Sequence, residues 1–226
     1  HIPPLCRTIG AQLRVSLSVL SDAQLLHCDI TPENILLLAG EDGGEGQAKL
    51  IDFGSACFSH QTVYSYIQSR FYRAPEVILG SGYGPPLDLW SFGAVLAELF
   101  LGVPLLPGTN NYHMLVLMED MFGPIPQSLL ARGTNTLLYY KRVPLDGGDA
   151  LAREDSKEDV FALDEEADRR RAPEPFRYVL KSLADVDAKT RRQVEASPSY
   201  FRGKKLSDLV LKYPFVKDLS AEKDRK

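Results

Sequence analysis

The segment at residues 87–101, LDLWSFGAVLAELFL, constrains the fold more than any other. Read as a helix it is apolar almost all round, so it must be surrounded by other elements at the centre of a helical core. Gly102 and Pro104 stop it. The most apolar run, residues 92–106, includes Glu98 and Pro104 and is too short to cross a bilayer. Two further helices are expected. One covers about residues 8–24, where Ile9, Leu13, Leu17 and Leu20 form one stripe. The other covers residues 112–121 and is closed by Gly123 and Pro124. Between the first and the central helix, residues 35–38 and 49–51 read as short strands around a loop containing Gly40, Gly43, Gly44 and Gly46.

Composition narrows the class. With 226 residues, 44% of them hydrophobic, the chain can build a core without staples. Cys6, Cys28 and Cys57 are too few and too irregular for a disulfide framework and point to a reducing, intracellular setting. Lys+Arg of 26 against Asp+Glu of 30 gives −4, which argues against a nucleic-acid binder. No signal peptide, membrane span or internal repeat is visible. Residues 146–175 are dominated by charge and include Arg169, Arg170 and Arg171; they read as a solvated face or flexible insertion, with a docking patch as the alternative. The last residues, 220–226, read as a frayed tail.

The chemistry concentrates in His27-Cys28-Asp29-Ile30-Thr31-Pro32-Glu33-Asn34. Asp29 is followed five residues later by Asn34 and at once by an apolar strand; Asp52-Phe53-Gly54 comes directly after the second strand; Ala74-Pro75-Glu76 lies downstream. Phosphoryl transfer from ATP needs one carboxylate to accept the hydrogen of the attacking hydroxyl. It needs a second carboxylate and an amide oxygen to hold magnesium across the phosphates. The three motifs, in this order and spacing, match the catalytic loop, metal-binding triplet and closing triplet of protein kinases.

The resemblance is closer to one family. His27-Cys28-Asp29, Pro32-Glu33-Asn34-Ile35-Leu36, Ile51-Asp52-Phe53-Gly54-Ser55 and the stretch from Val63-Tyr64-Ser65-Tyr66 through Arg70-Phe71-Tyr72-Arg73 resemble the dual-specificity tyrosine-regulated kinase (DYRK) family and its Yak-type relatives in the CMGC group. Asp88-Leu89-Trp90-Ser91 and the Tyr200 to Pro214 region fit as well. The resemblance implies a mainly α, α+β fold: the large C-terminal lobe of a protein kinase, with short β-hairpins near the catalytic loop. Residues 1–145 would form its core, 146–175 a charged insertion, and 176–226 a family-specific, truncated insert.

It implies ATP and Mg2+ as cofactors and protein hydroxyls as acceptors, Ser and Thr externally. Asp29 would be the base, Asn34 and Asp52 the magnesium ligands, and Glu33 and Leu36 would face the nucleotide. Tyr66, second of the Tyr64–Tyr66 pair, would be self-phosphorylated and gripped by Arg70 and Arg73; packing as plain loop aromatics is the alternative. Asp88 would anchor the catalytic loop. Cys28 replaces the usual Arg and reads as a buried small hydrophobe, or else as a redox sensor. Thr31 stands where most Ser/Thr kinases have a Lys that touches the transferred phosphate, which predicts slow catalysis. No Gly-rich loop or strand Lys precedes His27, so the 226 residues alone are expected to bind ATP poorly and be inactive. A non-catalytic, pseudokinase-like scaffold is the rival function; a two-metal phosphohydrolase built on Asp29 and Asp52 lacks the acid or His cluster it needs. Nucleus and cytoplasm both stay open, as do oligomeric state and substrates.

Overall fold

The computed structural model describes residues 4–39, 46–62, 66–145, 176–197, 201 and 203–212. Helix α1 (Pro4–Asp22) starts before the expected position and stops where Gln24 turns the chain at φ 55°. Ile9, Leu13 and Leu17 are buried as their stripe requires. The buried Cys6 thiol donates to the Leu99 carbonyl at 3.3 Å, so α1 is tied as well as packed to the central helix.

That central helix is α3 (Pro86–Leu101), preceded by the short α2 (Pro75–Leu79). Gly102, at φ 77°, closes α3 with its N–H on the Glu98 carbonyl at 2.7 Å, a left-handed turn that glycine makes without cost. Leu87 and Val95 are wholly buried, Leu87 in a cluster with Leu26, Cys28 and Ala74, Val95 in another with Leu17, Ile30 and Tyr72. The burial is not complete all round: Leu89 is 56% exposed.

Two short antiparallel pairs frame the site. Strand β1 (Leu25–Leu26) pairs with β4 (Cys57–Phe58). Strand β2 (Ile35–Leu38) pairs with β3 (Gln47–Leu50) in the register Ile35 to Leu50 and Leu38 to Gln47. Strand β3 therefore lies earlier than the expected 49–51, because Ile51 already leaves the ladder toward the turn at Asp52. The outer edge of β3 is held by one side chain of α1: Gln12 Nε2 donates to the Gly46 carbonyl at 3.1 Å and Gln12 Oε1 accepts from Ala48 N–H at 2.6 Å.

The C-terminal half is built on α4 (Asn111–Phe122), whose N-cap Asn110 accepts from His113 N–H at 2.9 Å. Then follow α5 (Gln127–Arg132), α6 (Thr136–Tyr139) and β5 (Tyr140–Pro144). Strand β6 (Phe176–Leu180) pairs antiparallel with β5, so the chain on either side of residues 146–175 joins in one sheet. The free edge of β6 is met by Gln127, which exchanges both hydrogen bonds with the Tyr178 backbone at 2.7 and 3.1 Å. Helices α7 (Ala188–Glu195) and α8 (Leu206–Lys212) complete the described chain. The main core gathers Met114, Leu115, Met118, Leu130 and Tyr140 around the end of α3. The charged insertion at 146–175, Tyr200, Tyr213-Pro214 and the tail at 220–226 lie outside the described residues. Among the described residues no helix is long and apolar enough to cross a membrane. The structure is thus mainly helical with short antiparallel pairs near the catalytic loop, the fold class read from the sequence.

Candidate active site

The catalytic loop hangs from the first turn of α3. Asp88, 4% exposed, accepts from the backbone N–H of His27 at 2.7 Å and of Cys28 at 3.0 Å, the anchoring role expected of it. Burial pushes its carboxyl above the ordinary range, and these two N–H groups pull it back. They hold Cys28 at φ 65°, a conformation that few non-glycine residues adopt. His27, wholly buried, bridges the loop and the second motif: Nε2 donates to the Ile51 carbonyl at 3.0 Å and Nδ1 accepts from Asp29 N–H at 3.3 Å, a pattern that fixes the tautomer. Its ring meets Phe53 edge-on at 4.8 Å.

These contacts aim Asp29 outward. Its Oδ1 accepts from Ser69 N–H at 3.0 Å, while Asn34 Nδ2 donates to the Asp29 carbonyl at 2.8 Å and to Oδ2 at 3.3 Å. The strand register then brings the two motifs together. Ile51 N–H donates to the Asn34 carbonyl at 2.9 Å, so Asp52 emerges beside Asn34 at the end of the β2–β3 pair. Asp52 turns at φ 61° and uses Oδ1 to cap the Gly54 N–H at 3.1 Å. With Asn34 Nδ2 turned to Asp29 and Asp52 Oδ1 taken by Gly54, Asn34 Oδ1 and Asp52 Oδ2 are the oxygens that a cation could take. One amide and one carboxylate oxygen are hard ligands of the kind magnesium takes when phosphates and waters supply the rest. Among the described residues no three His, Cys, Asp or Glu side chains converge on a common point.

The other expected residues fall in distinct settings. Glu33 is exposed in the turn after Asp29, and Leu36 is 45% exposed on β2. Thr31 is 4% exposed, before the turn Pro32–Asn34, and its hydroxyl does not cap that turn. Cys28 is wholly buried, with its sulfur 3.8 Å from that of Cys57. Burial, then Cys57 and Asp88, push its thiol far up.

Tyr64 lies outside the described residues. Tyr66 is 74% exposed and sits under the Arg73 guanidinium, 4.4 Å from ring centroid to carbon. Hydrogen bonding and charge from Arg73 pull its phenol down, with a smaller pull from Arg70. Arg73 is itself buried and donates to the carbonyls of Ile67 and Gln68 and to Asn111 Oδ1, at 3.0, 2.8 and 2.8 Å. Arg70 is exposed. Sequence reasoning did not single out Gln68 or Ser69. A glutamine in a polar loop carries no pattern that announces burial, and a backbone N–H carries no side-chain signal.

Glu76 lies beside a cleft of about 450 Å³ with Tyr66, Arg73, Tyr83, Asn111 and Asn135. Its carboxyl is pushed up by burial. The only ion pair among the described residues is Lys141 with Asp185, so Glu76 has no salt-bridge partner there.

Comparison with known proteins agrees with this geometry. The model of the protein kinase domain matches residues 3–196. The serine/threonine-protein kinase ppk15 of Schizosaccharomyces pombe is 40% identical over 210 residues, 93% of this chain and 34% of that protein. The dual specificity protein kinase YAK1 of Saccharomyces cerevisiae is 36% identical over 215 residues, 95% of this chain and 23% of that protein. The dual specificity tyrosine-phosphorylation-regulated kinase mbk-2 of Caenorhabditis elegans is 47% identical over 142 residues, 62% of this chain and 17% of that protein. The chain therefore spans about a third or less of the length of these relatives. On the motifs, the fold and these matches together, the chain belongs to the protein kinase family, among its DYRK- and Yak-like members.

Proposed function

We propose that the protein containing this chain transfers the γ-phosphate of ATP to hydroxyl groups of protein substrates, Ser and Thr externally and Tyr66 on itself. The observation that carries the reading is the junction at the end of β2–β3, where Asp29, Asn34 and Asp52 meet through Asn34 Nδ2 and the Asn34–Ile51 backbone bond. Asp29 orients the acceptor hydroxyl and takes its proton, with Oδ1 held by Ser69 N–H so that its carboxylate points one way. Asn34 and Asp52 hold the metal through oxygens. Bound there, magnesium would supply positive charge to offset that of the phosphates. Glu33 and Leu36 face the nucleotide, Leu36 as part of an apolar floor. A phosphate on Tyr66 is received by Arg73 and Arg70, which already pull its phenol down.

Three scattered cysteines fit an intracellular setting, nuclear or cytoplasmic. The test is phosphate transfer from labelled Mg-ATP by the full-length protein. Asp29→Asn is expected to lower turnover at least about a hundredfold. Equal turnover by wild type and Asp29→Asn, or none by wild type, refutes the reading in favour of a non-catalytic scaffold.

A further inference from the structure

Gln68 makes three side-chain hydrogen bonds beside the site and has no role in the scheme above. It is 6% exposed and sits at φ 62°, in the left-handed region where a residue with a side chain is uncommon. Its amide spans two elements. Nε2 donates to the Leu87 carbonyl at 3.0 Å and to Ser91 Oγ at 2.8 Å, both on α3. Oε1 accepts from Ala74 N–H at 2.9 Å, just before α2. The Ser91 hydroxyl passes the chain on to the Tyr72 carbonyl at 2.7 Å.

With the side chain fastened this way, the backbone faces the catalytic loop. Gln68 N–H donates to the Cys28 carbonyl at 3.0 Å, and the next N–H, that of Ser69, donates to Asp29 Oδ1 at 3.0 Å. Helix α3 thus grips the loop twice, directly through Asp88 and from the other side through Gln68. The Gln68 bonds of this second grip are neutral, and only the Ser69 N–H bond reaches a carboxylate. Cys28 offers no cation to join loop and segment by charge. Tyr66 lies 74% exposed on the outer side, against Arg73.

We propose that the Gln68 side chain is a positioning residue for Asp29, and that the register it sets between activation segment and catalytic loop does not depend on phosphate at Tyr66. The proposal rests on the kinase reading for its effect on turnover, but not for its effect on the Ser69 hydrogen bond. It therefore calls for two readouts on the full-length protein: kinetics, and amide exchange resolved at Ser69.

Gln68→Gly suits the left-handed backbone and removes the whole side chain without adding backbone strain. Gln68→Met keeps the length and removes the hydrogen bonds. Both variants are expected to lose tenfold or more in kcat with the KM for ATP unchanged within about twofold, since misplacing a reacting group by about 1 Å can cost a hundredfold. Both should speed exchange at Ser69. Tyr66→Phe should leave Ser69 exchange unchanged.

Wild-type kcat and Ser69 protection in Gln68→Gly overturn the proposal. So does a loss confined to thermal stability, with kcat per folded molecule preserved. Faster Ser69 exchange in Tyr66→Phe overturns its second half. If the wild type transfers no phosphate while Gln68→Gly still exposes Ser69, the kinase reading fails and the anchoring stands.

Discussion

Replacing Asp88 by Asn tests how the catalytic loop is held. The carboxylate accepts two backbone N–H bonds, at 2.7 Å from His27 and 3.0 Å from Cys28, in a site only 4% exposed. Asparagine keeps one acceptor oxygen and presents an NH2 group to the second N–H. One hydrogen bond to a charged group is lost, about 1.5–3 kcal/mol, and one buried N–H is orphaned, about 1–3 kcal/mol. Removing a desolvated charge returns part of this, since burial already pushes the Asp88 carboxyl up. The net expectation is a loss of about 2–4 kcal/mol. Asp88→Ala, which orphans both N–H groups, should lose more. Denaturant unfolding at equilibrium measures it, as a lowered midpoint at unchanged slope. In the full-length protein kcat should fall as well, because the released amides are those of the residues that precede Asp29. Asp88→Asn within about 0.5 kcal/mol of wild type would show that the loop is held by packing and that the anchor adds nothing.

Three further outcomes are expected. Thr31→Lys should raise kcat in the full-length protein by up to roughly a hundredfold, by restoring a cation at the transferred phosphate; unchanged turnover in single-turnover kinetics sinks the idea. In the chain of these 226 residues Glu76→Gln should raise Tm at pH 7, because burial lifts the Glu76 carboxyl and disfavours its charge. A raised folded-state pKa means stability present at acid pH and lost as pH rises through that value. The gain from Gln must then shrink as pH falls toward the ordinary carboxylate range, and a pH-independent difference in Tm contradicts the mechanism. Ultraviolet titration should show Tyr66 ionising before Tyr72, Tyr112 and Tyr140, all held protonated chiefly by burial, with Glu98 adding at Tyr72 and Glu119 at Tyr140; loss of the early phase in Tyr66→Phe identifies it.

The parts of the fold legible in the sequence are those set by local periodicity or by terminators. The central helix follows from an unbroken apolar run and Gly102, and strand β2 lies at the residues expected. Helix α1 begins ahead of the expected position because the apolar stripe that marks it in the sequence is read from Ile9, after the first turn. The β5–β6 pair was missed for a different reason: its partners stand on either side of residues 146–175, and two short strands so far apart leave no local trace. Asp29, Asn34 and Asp52 stand out in the sequence as candidates because phosphoryl transfer needs particular side chains at particular spacings. Asp88 stands out through the family resemblance, and the structure shows its anchoring bonds. Gln68, Ser69 and the bridging part of His27 do not stand out, because hydrogen bonds made by the backbone, or to it, depend on the fold rather than on a residue pattern.

The two glutamines on strand edges have a consequence beyond holding elements in place. A two-stranded sheet has no interior strand, so each strand keeps one row of backbone groups open to pairing with another chain. Gln12 occupies that row on β3 at Gly46 and Ala48, and Gln127 occupies it on β6 at Tyr178. A primary amide matches a peptide group in its donor and acceptor, but it ends in a side chain and cannot pass the ladder on to a further strand. Each glutamine therefore acts as a chain terminator for sheet growth, and replacing either by an apolar residue would expose a short adhesive edge through which copies of the protein could polymerise.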